Sequence, residues 1–213
     1  MKRFFDPDTP LMRLLSAVAD LAIMNLFWLL CSLPIVTAGA ATAGMYRGCL
    51  AMVRESGDKP WRLFWQEFKG SFRRSTALWL LLLGVLILIG ADLAIFSVWA
   101  LPGKPFLLLI FLLSLLCWLV IASYTFPLTA QFDNSILGTL KNAAIFGFGH
   151  PLKTLIVVLL NLLPLLMYLL SPTVFWRFFI FWVLLGFAVV AYVNSILLRK
   201  IFDLYIPKKD ACE

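Results

Sequence analysis

Hydrophobic residues in this chain gather into six long runs that are separated by shorter polar segments. The runs cover about residues 14–35, 37–53, 77–100, 106–127, 155–171 and 176–198. Most of them approach or exceed the ~20 residues that an α-helix needs to cross the hydrocarbon core of a bilayer. With 62% hydrophobic and 14% charged residues, the composition excludes an ordinary soluble domain. The pattern predicts an all-α, polytopic transmembrane bundle of about six spans, in a single domain that covers residues 1–213.

The second run differs from the others because its residues are small rather than bulky. Ala40, Gly44 and Gly48 recur every four residues, a spacing that lets another helix backbone approach closely. We expect this ridge to pack inside the chain against the first run, which is reached through a short uncharged link. A seam between two copies, and therefore a homodimer, stays open as an alternative.

The charged residues between the runs alternate in number from one connector to the next. Fifteen cations lie in the N-terminal segment, in residues 54–76 and 128–154 and in a basic tail at 199–213, whereas Lys104 and Arg177 are the cations of the other connectors. This bias predicts that both termini lie in the cytoplasm. A second run that did not cross would weaken the asymmetry, although a re-entrant segment fits the same orientation. We assign the cations to lipid and to orientation, and we expect no nucleic acid partner.

Six charged or amide side chains lie well inside the apolar runs, where a central charge costs about 2.5–3.5 kcal/mol on insertion scales. They are Asp20, Asn25, Arg47, Asp92, Asn161 and Asn194. Asp20 and Arg47 are each about six residues from the cytoplasmic end of a run, so we expect them to pair. The asparagines would extend this pair into an intramembrane polar cluster, while Asp92 has no obvious cation nearby. A structural ion pair and a pathway for a solute or for protons both remain open.

The connector at residues 54–76 predicts a strongly amphipathic helix. Its aromatic residues fall within an arc of about 100° on a helical projection, opposite a polar face that carries cations. These aromatic residues are Trp61, Phe64, Trp65, Phe68 and Phe72. Such a helix is typical of the interface beside anionic headgroups, and the alternative is a docking face for a cytoplasmic partner. A second cytoplasmic helix is predicted within residues 133–149, where Asp-Asn-Ser resembles a helix cap.

Motifs of catalysis and cofactor binding are absent from the sequence. His150 is the single histidine, and the chain contains no GxSxG, phosphate-loop, HExxH or CxxC pattern. The four cysteines have no metal-ligand spacing and form no disulfide framework. We therefore predict no catalytic, cofactor or metal site, and a protein that is not an enzyme.

One long run of residues is similar to a known family. Residues 25–43, which read NLFWLLCSLPIVTAGAATA, together with Tyr46 resemble the signature of the YesL family of bacterial membrane proteins. Shorter blocks at Phe64 and Phe68, and in residues 126–128, 132–133 and 141–143, are also similar to that family. Its activity is not established, but its members are often encoded beside carbohydrate ABC importers. The resemblance implies a bacterial cell membrane protein that is associated with sugar uptake.

Two classes of function follow from these observations. In the first, the protein is a non-catalytic accessory that binds subunits of a carbohydrate ABC importer through its amphipathic helix and loops. In the second, it is a small-solute transporter or channel, with a path lined by Asp20, Arg47, Asn161 and Asn194. Because no ATP-binding motif is present, direct transport would need a gradient or a separate ATPase.

Overall fold

The computed structural model describes residues 10–98 and 104–205, which are helical almost throughout. Five helices in this part of the chain are long and apolar enough to cross a membrane. They are α1 (Pro10–Ser32), α4 (Phe72–Val98), α5 (Lys104–Gln131), α7 (Pro151–Leu170) and α9 (Phe179–Phe202). The prediction of an all-α transmembrane bundle is confirmed, and the chain is a multi-pass membrane protein.

Shorter helices connect these five. They are α2 (Ala38–Val53), α3 (Pro60–Gly70), α6 (Ile136–Gly149) and α8 (Pro172–Arg177). Because α4 begins at Phe72, the connector that was predicted to end at residue 76 is shorter than expected. The predicted tail at 199–213 begins in fact within α9, and residues 206–213 lie outside the described part of the chain.

Helix α2 is enclosed by other helices of the bundle. It contains 16 residues and is therefore about 24 Å long, less than the ~30 Å of a hydrocarbon core. A short 3₁₀ turn at Ile35–Thr37 precedes it and reverses the direction of the chain after α1. The count of six spans depends on whether α2 crosses, and it stays a prediction.

The ridge of small residues on α2 is filled by the same chain. A Cβ atom on Gly44 would lie 2.9 Å from the backbone oxygen of Phe64, and one on Gly48 would lie 2.9 Å from that of Pro60. The sulfur of Met24 on α1 also touches Gly48, and Ala40 is fully buried. The main neighbour of the ridge is therefore α3, with α1 beside it. Since the ridge is covered, it does not offer a seam to a second copy.

Helix α6 joins α5 to α7 and packs against α5. Its first turn is capped by Ser135, whose hydroxyl accepts a hydrogen bond of 3.2 Å from the backbone N–H of Gly138, as the Asp-Asn-Ser pattern predicted. Gly147 lies against Val120 and Tyr124 of α5. The outer face of α6 exposes Leu137, Ile145 and Phe148. This helix is thus apolar on both faces, which is typical of a helix covered by protein on one side and by lipid on the other.

The close approach at Gly44 can be tested by adding one methyl group. Gly44→Ala should lower the free energy of unfolding by about 1–3 kcal/mol, because the new Cβ meets backbone rather than a flexible side chain. The control is Gly84→Ala on α4, where a Cβ would meet no other atom within 4 Å; it should be neutral or stabilising by up to about 1 kcal/mol. Thermal unfolding in detergent measures both variants. Equal stabilities would contradict the packing described here.

Candidate functional site

Three polar side chains from different helices meet inside the bundle. Asn194 of α9 is fully buried, and its amide nitrogen donates to Asn161 Oδ1 of α7 at 2.8 Å and to the hydroxyl of Tyr46 of α2 at 3.2 Å. The two asparagines were expected to share a cluster, and the structure brings them together. Tyr46 was not among the predicted site residues, although it lies between Gly44 and Gly48 of the ridge that brings α2 against its neighbours.

A cavity of about 130 Å³ lies beside two of these residues, Tyr46 and Asn161. Tyr46, Asn161 and Pro164 line it, together with Trp28, Thr42 and apolar residues of α9. The indole nitrogen of Trp28 donates to the Thr42 hydroxyl at 3.0 Å, which in turn donates to a backbone carbonyl of its own helix. At ~30 Å³ for each water molecule, the cavity has room for about four of them.

The amide group of Asn194 is only half satisfied. Its oxygen is buried and has no hydrogen-bond partner. If the amides of Asn194 and Asn161 were both rotated by 180°, the Asn194 oxygen would accept from Asn161 and from the Tyr46 hydroxyl, but the Asn194 nitrogen would be left unpaired instead. Either orientation therefore leaves one polar atom free in the interior, and such an atom suits an internal water molecule.

Asn25 of α1 does not join this cluster but braces an irregular turn in α9. Residues Trp182–Gly186 form a π-helical turn, in which the regular helical ladder is interrupted. The Asn25 amide nitrogen donates to the carbonyls of Trp182 and Val183, at 3.1 and 2.7 Å, and its oxygen accepts from the backbone N–H of Ala188 at 2.9 Å. One buried side chain thus satisfies three backbone groups that lie within the bundle.

The predicted pair between Asp20 and Arg47 is not formed. No ion pair joins them among the described residues; Asp20 is partly buried on α1, and the charge that acts on it is that of Lys59. Arg47 reaches away from α1 and donates to Ala130 O at the end of α5, at 3.1 Å. Asp92 is exposed on α4 and lies apart from the cluster. Two residues at a similar depth in neighbouring helices can still lie on sides that do not face each other. This is why the predicted ion pair does not form.

Two arginines hold the C-terminal end of α5. Arg47 binds Ala130 O, and Arg74 of α4 donates to Thr129 O at 3.3 Å and forms an ion pair of 3.2 Å with Asp133. The last carbonyls of a helix have no partner within it, and they carry a partial negative charge. The arginines therefore satisfy and neutralise this helix end, and they tie α2 and α4 to it.

Glu67 of α3 lies in the field of both arginines. Burial raises the pKa of its carboxyl, and a hydrogen bond from Ser71 and the charges of Arg47 and Arg74 oppose this rise, while Asp133 adds to it. Its Oε1 atom is buried without a hydrogen-bond partner. Desolvation is the largest of these effects, so the carboxyl binds a proton more readily than an exposed glutamate does.

The aromatic face of α3 points into the bundle. Phe64 is fully buried, and its ring lies 5.9 Å from that of Phe27 on α1. Trp61, Trp65 and Phe68 are partly buried, and Phe72 is exposed. The expectation that Phe64 contacts lipid or a partner is corrected, because Gly44 leaves room for its ring and backbone against α2. The face of α3 that remains outside carries Arg62, Gln66 and Lys69.

Within the described residues, no group of three or more His, Cys, Asp and Glu side chains is arranged to hold a metal ion. The free thiols of Cys31, Cys49 and Cys117 lie on separate helices. The side chains gathered above can donate and accept hydrogen bonds and can hold a helix end by charge. They do not form a set of nucleophile and base.

Comparison with known proteins gives a match to a protein family. Residues 21–93 match the family model described as "Protein of unknown function, DUF624". The matched segment is about a third of the chain and contains α2, α3, Asn25 and most of the residues that fill the glycine ridge. No curated protein and no solved structure matches the chain.

The bracing role of Asn25 predicts a loss of stability when its amide is removed. Asn25→Leu keeps the branched shape of the side chain but leaves three backbone groups without their partner, and it should cost about 1–3 kcal/mol. Hydrogen exchange of residues 182–188 should become faster at the same time. Asn142→Leu on α6 is the control, because it makes the same replacement at a partly buried asparagine outside the π-helical turn. A stability and exchange rate like those of the control would contradict the bracing role.

The raised pKa of Glu67 predicts a dependence of stability on pH. Because the folded protein holds this proton more tightly than the unfolded chain, Glu67 contributes most at low pH, and its contribution is lost as pH rises through the raised pKa. Glu67→Gln removes this loss, so the variant should match the parent at low pH and exceed its thermal stability at neutral pH. Asp58→Asn, which changes an exposed carboxylate, is the control. A Glu67→Gln variant that is less stable than the parent at neutral pH would show that the arginines outweigh desolvation.

Proposed function

We propose that this protein is a non-catalytic membrane accessory that associates with a carbohydrate ABC importer. The proposal rests on one observation: polar side chains within the membrane-spanning bundle form hydrogen bonds with other groups of the same chain. Asn25 serves a backbone turn, and Asn194 donates to both Asn161 and Tyr46. Residues with such bonds hold helices together, which is a structural use of their side chains.

The size of the polar cavity supports the same proposal. At about 130 Å³ it is smaller than the ~300–1,000 Å³ that is typical of small-molecule sites. A sugar would not fit there in this conformation. An accessory role does not require a site of that size, because its partner would bind at the surface.

The choice of a carbohydrate importer as the partner rests on the resemblance to the YesL family. The matched DUF624 family includes YesL-type membrane proteins, and the long block at residues 25–43 lies within the matched segment. We further propose that the protein resides in the bacterial cell membrane with both termini in the cytoplasm, on the basis of its cation distribution. In that orientation α3 faces the cytoplasm.

The outer face of α3 is the surface that we assign to the partner. Arg62 lies over the ring of Trp61 at 5.3 Å, and the ammonium of Lys69 lies 6.0 Å from the ring of Trp65. Cation–π contacts of this kind favour particular positions for the two charges. The inner face of the helix is anchored by Phe64, so the charges are presented on a rigid support. An acidic surface on a cytoplasmic domain would complement them.

A second candidate is the transport of a small solute. The unpaired Asn194 amide atom, the adjacent cavity and Pro164, which interrupts the hydrogen bonds of α7, favour it over an enzyme. The guest would have to be of the size of a few water molecules. This candidate keeps Asn161 and Asn194 of the predicted path and drops Asp20 and Arg47.

Charge reversal on α3 tests the accessory role. In Arg62→Glu/Lys69→Glu, recovery of importer subunits from solubilised membranes should fall at least about tenfold, since like charges at an interface cost several kcal/mol. Lys153→Glu/Lys200→Glu reverses two charges on α7 and α9 and should retain the subunits. Subunits are identified by mass spectrometry, and folding is checked by thermal unfolding. If the parent recovers no importer subunit, or if both double variants recover it equally, the proposal is wrong and solute flux in vesicles becomes the relevant measurement.

A further inference from the structure

An apolar groove of about 630 Å³ runs between α4 and α5. Leu81 and Val85 line one side, Leu113 and Cys117 line the other, and Leu140 of α6 closes one end. All but Leu140 belong to the spanning helices. The groove therefore opens towards the bilayer, independently of the surface on α3.

The few polar groups in the groove are already engaged. The Ser114 hydroxyl donates to Ile110 O at 2.9 Å, and the Trp118 indole nitrogen donates to Leu82 O at 2.8 Å. A polar guest would find no free donor or acceptor in these two side chains. A hydrocarbon chain needs none, so the lining fits an acyl chain and does not fit a sugar.

The length of the groove matches one leaflet. From Ile110 to Ile121 it follows α5 for about 16 Å, roughly half of the ~30 Å hydrocarbon core. A partner helix that crosses the whole membrane would extend beyond it. An acyl chain of a phospholipid occupies a single leaflet, with its headgroup at the surface.

Two exposed cations belong to helices that contribute to the groove, α6 and α4, at positions that precede or follow its lining residues in the sequence. Lys141 follows Leu140 directly, and Arg73 lies two helical turns before Leu81 on α4. The nearby carboxylate of Asp133 is held by Arg74 and not by either of these cations. Cations at the surface end of an apolar groove complement a phosphate.

We propose that the groove is a binding site for an anionic phospholipid, with one acyl chain between α4 and α5 and the phosphate at Lys141 and Arg73. The site uses neither the polar cavity nor the outer face of α3. It adds a ligand class to the protein that the accessory role does not require.

Filling the groove tests the acyl-chain part. Full-length protein is stripped of lipid in detergent and offered phosphatidylglycerol or phosphatidylcholine, and bound lipids are counted by native mass spectrometry. Leu113→Trp should lower retention of both lipids about tenfold, since the indole takes up the space of the chain. Leu112→Trp makes the same change at an exposed neighbour outside the lining and should retain them. Equal retention by the two variants would overturn the site.

Removing the cations tests the headgroup part. Lys141→Gln and Arg73→Gln should each lower retention of phosphatidylglycerol about fivefold and leave that of phosphatidylcholine unchanged. Lys200→Gln on α9 is the control and should change neither. An unaltered preference for phosphatidylglycerol in both groove variants would overturn the assignment of the phosphate.

The exposed thiol of Cys117 gives a readout without a change in the groove. With the other cysteines replaced by alanine, its reaction with a maleimide should slow when phosphatidylglycerol is added to the stripped protein. The same thiol, carrying a photo-crosslinker in native membranes, should couple to lipid. A thiol rate that does not respond to lipid, or coupling to a protein instead, would overturn the proposal.

Discussion

The close approach of α3 to α2 is the constraint on which the other contacts depend. Gly44 and Gly48 carry no side chains, so the backbones of Phe64 and Pro60 lie directly on α2. This contact buries Phe64 and places Glu67, one turn further along α3, in the field of Arg47 and Arg74. The remaining faces of α2 then reach α5 through Arg47 and α9 through Tyr46. A larger residue on the ridge would displace α3 and the carboxylate that it carries.

Polar residues in the bundle act mainly on backbone that the helices themselves leave unsatisfied. Asn25 serves the π-helical turn of α9, and Arg47 and Arg74 serve the end of α5. In hydrocarbon such groups find no water, so each irregular turn needs a side chain from a neighbouring helix. The polar residues and the irregular turns are therefore linked. Removing such a side chain leaves backbone groups of the turn without a hydrogen-bond partner, and a regular turn in that place would leave the side chain without one.

The sequence was sufficient for the helices, because length and hydropathy decide what can cross a bilayer. It was also sufficient to place the ridge on one face of α2, because residues four apart in a helix share a face, but it did not predict that α3 rather than α1 is the main neighbour of the ridge. It was insufficient to predict the partners of Asp20 and Arg47, because the depth of a residue along a helix does not define how that helix is rotated relative to its neighbours. The aromatic face of α3 was ambiguous for a related reason: Phe64 satisfies the same amphipathic pattern whether it packs on lipid or on Gly44. Tyr46 was not predicted as a site residue because no sequence pattern distinguishes a tyrosine whose hydroxyl group is buried.

The two connectors that flank the spanning helices divide the outer surface by chemistry. Helix α3 keeps its aromatic residues inside and exposes Arg62 and Lys69, which are suited to water and to an acidic partner. Helix α6 packs its inner face on α5 and exposes Leu137 and Phe148, which are suited to lipid. An amphipathic pattern in the sequence marks the first of these helices, yet it is the second, with apolar residues on both faces, that continues the lipid-facing surface. Of these two connectors, α3 therefore presents charge at the surface, whereas α6 presents apolar side chains.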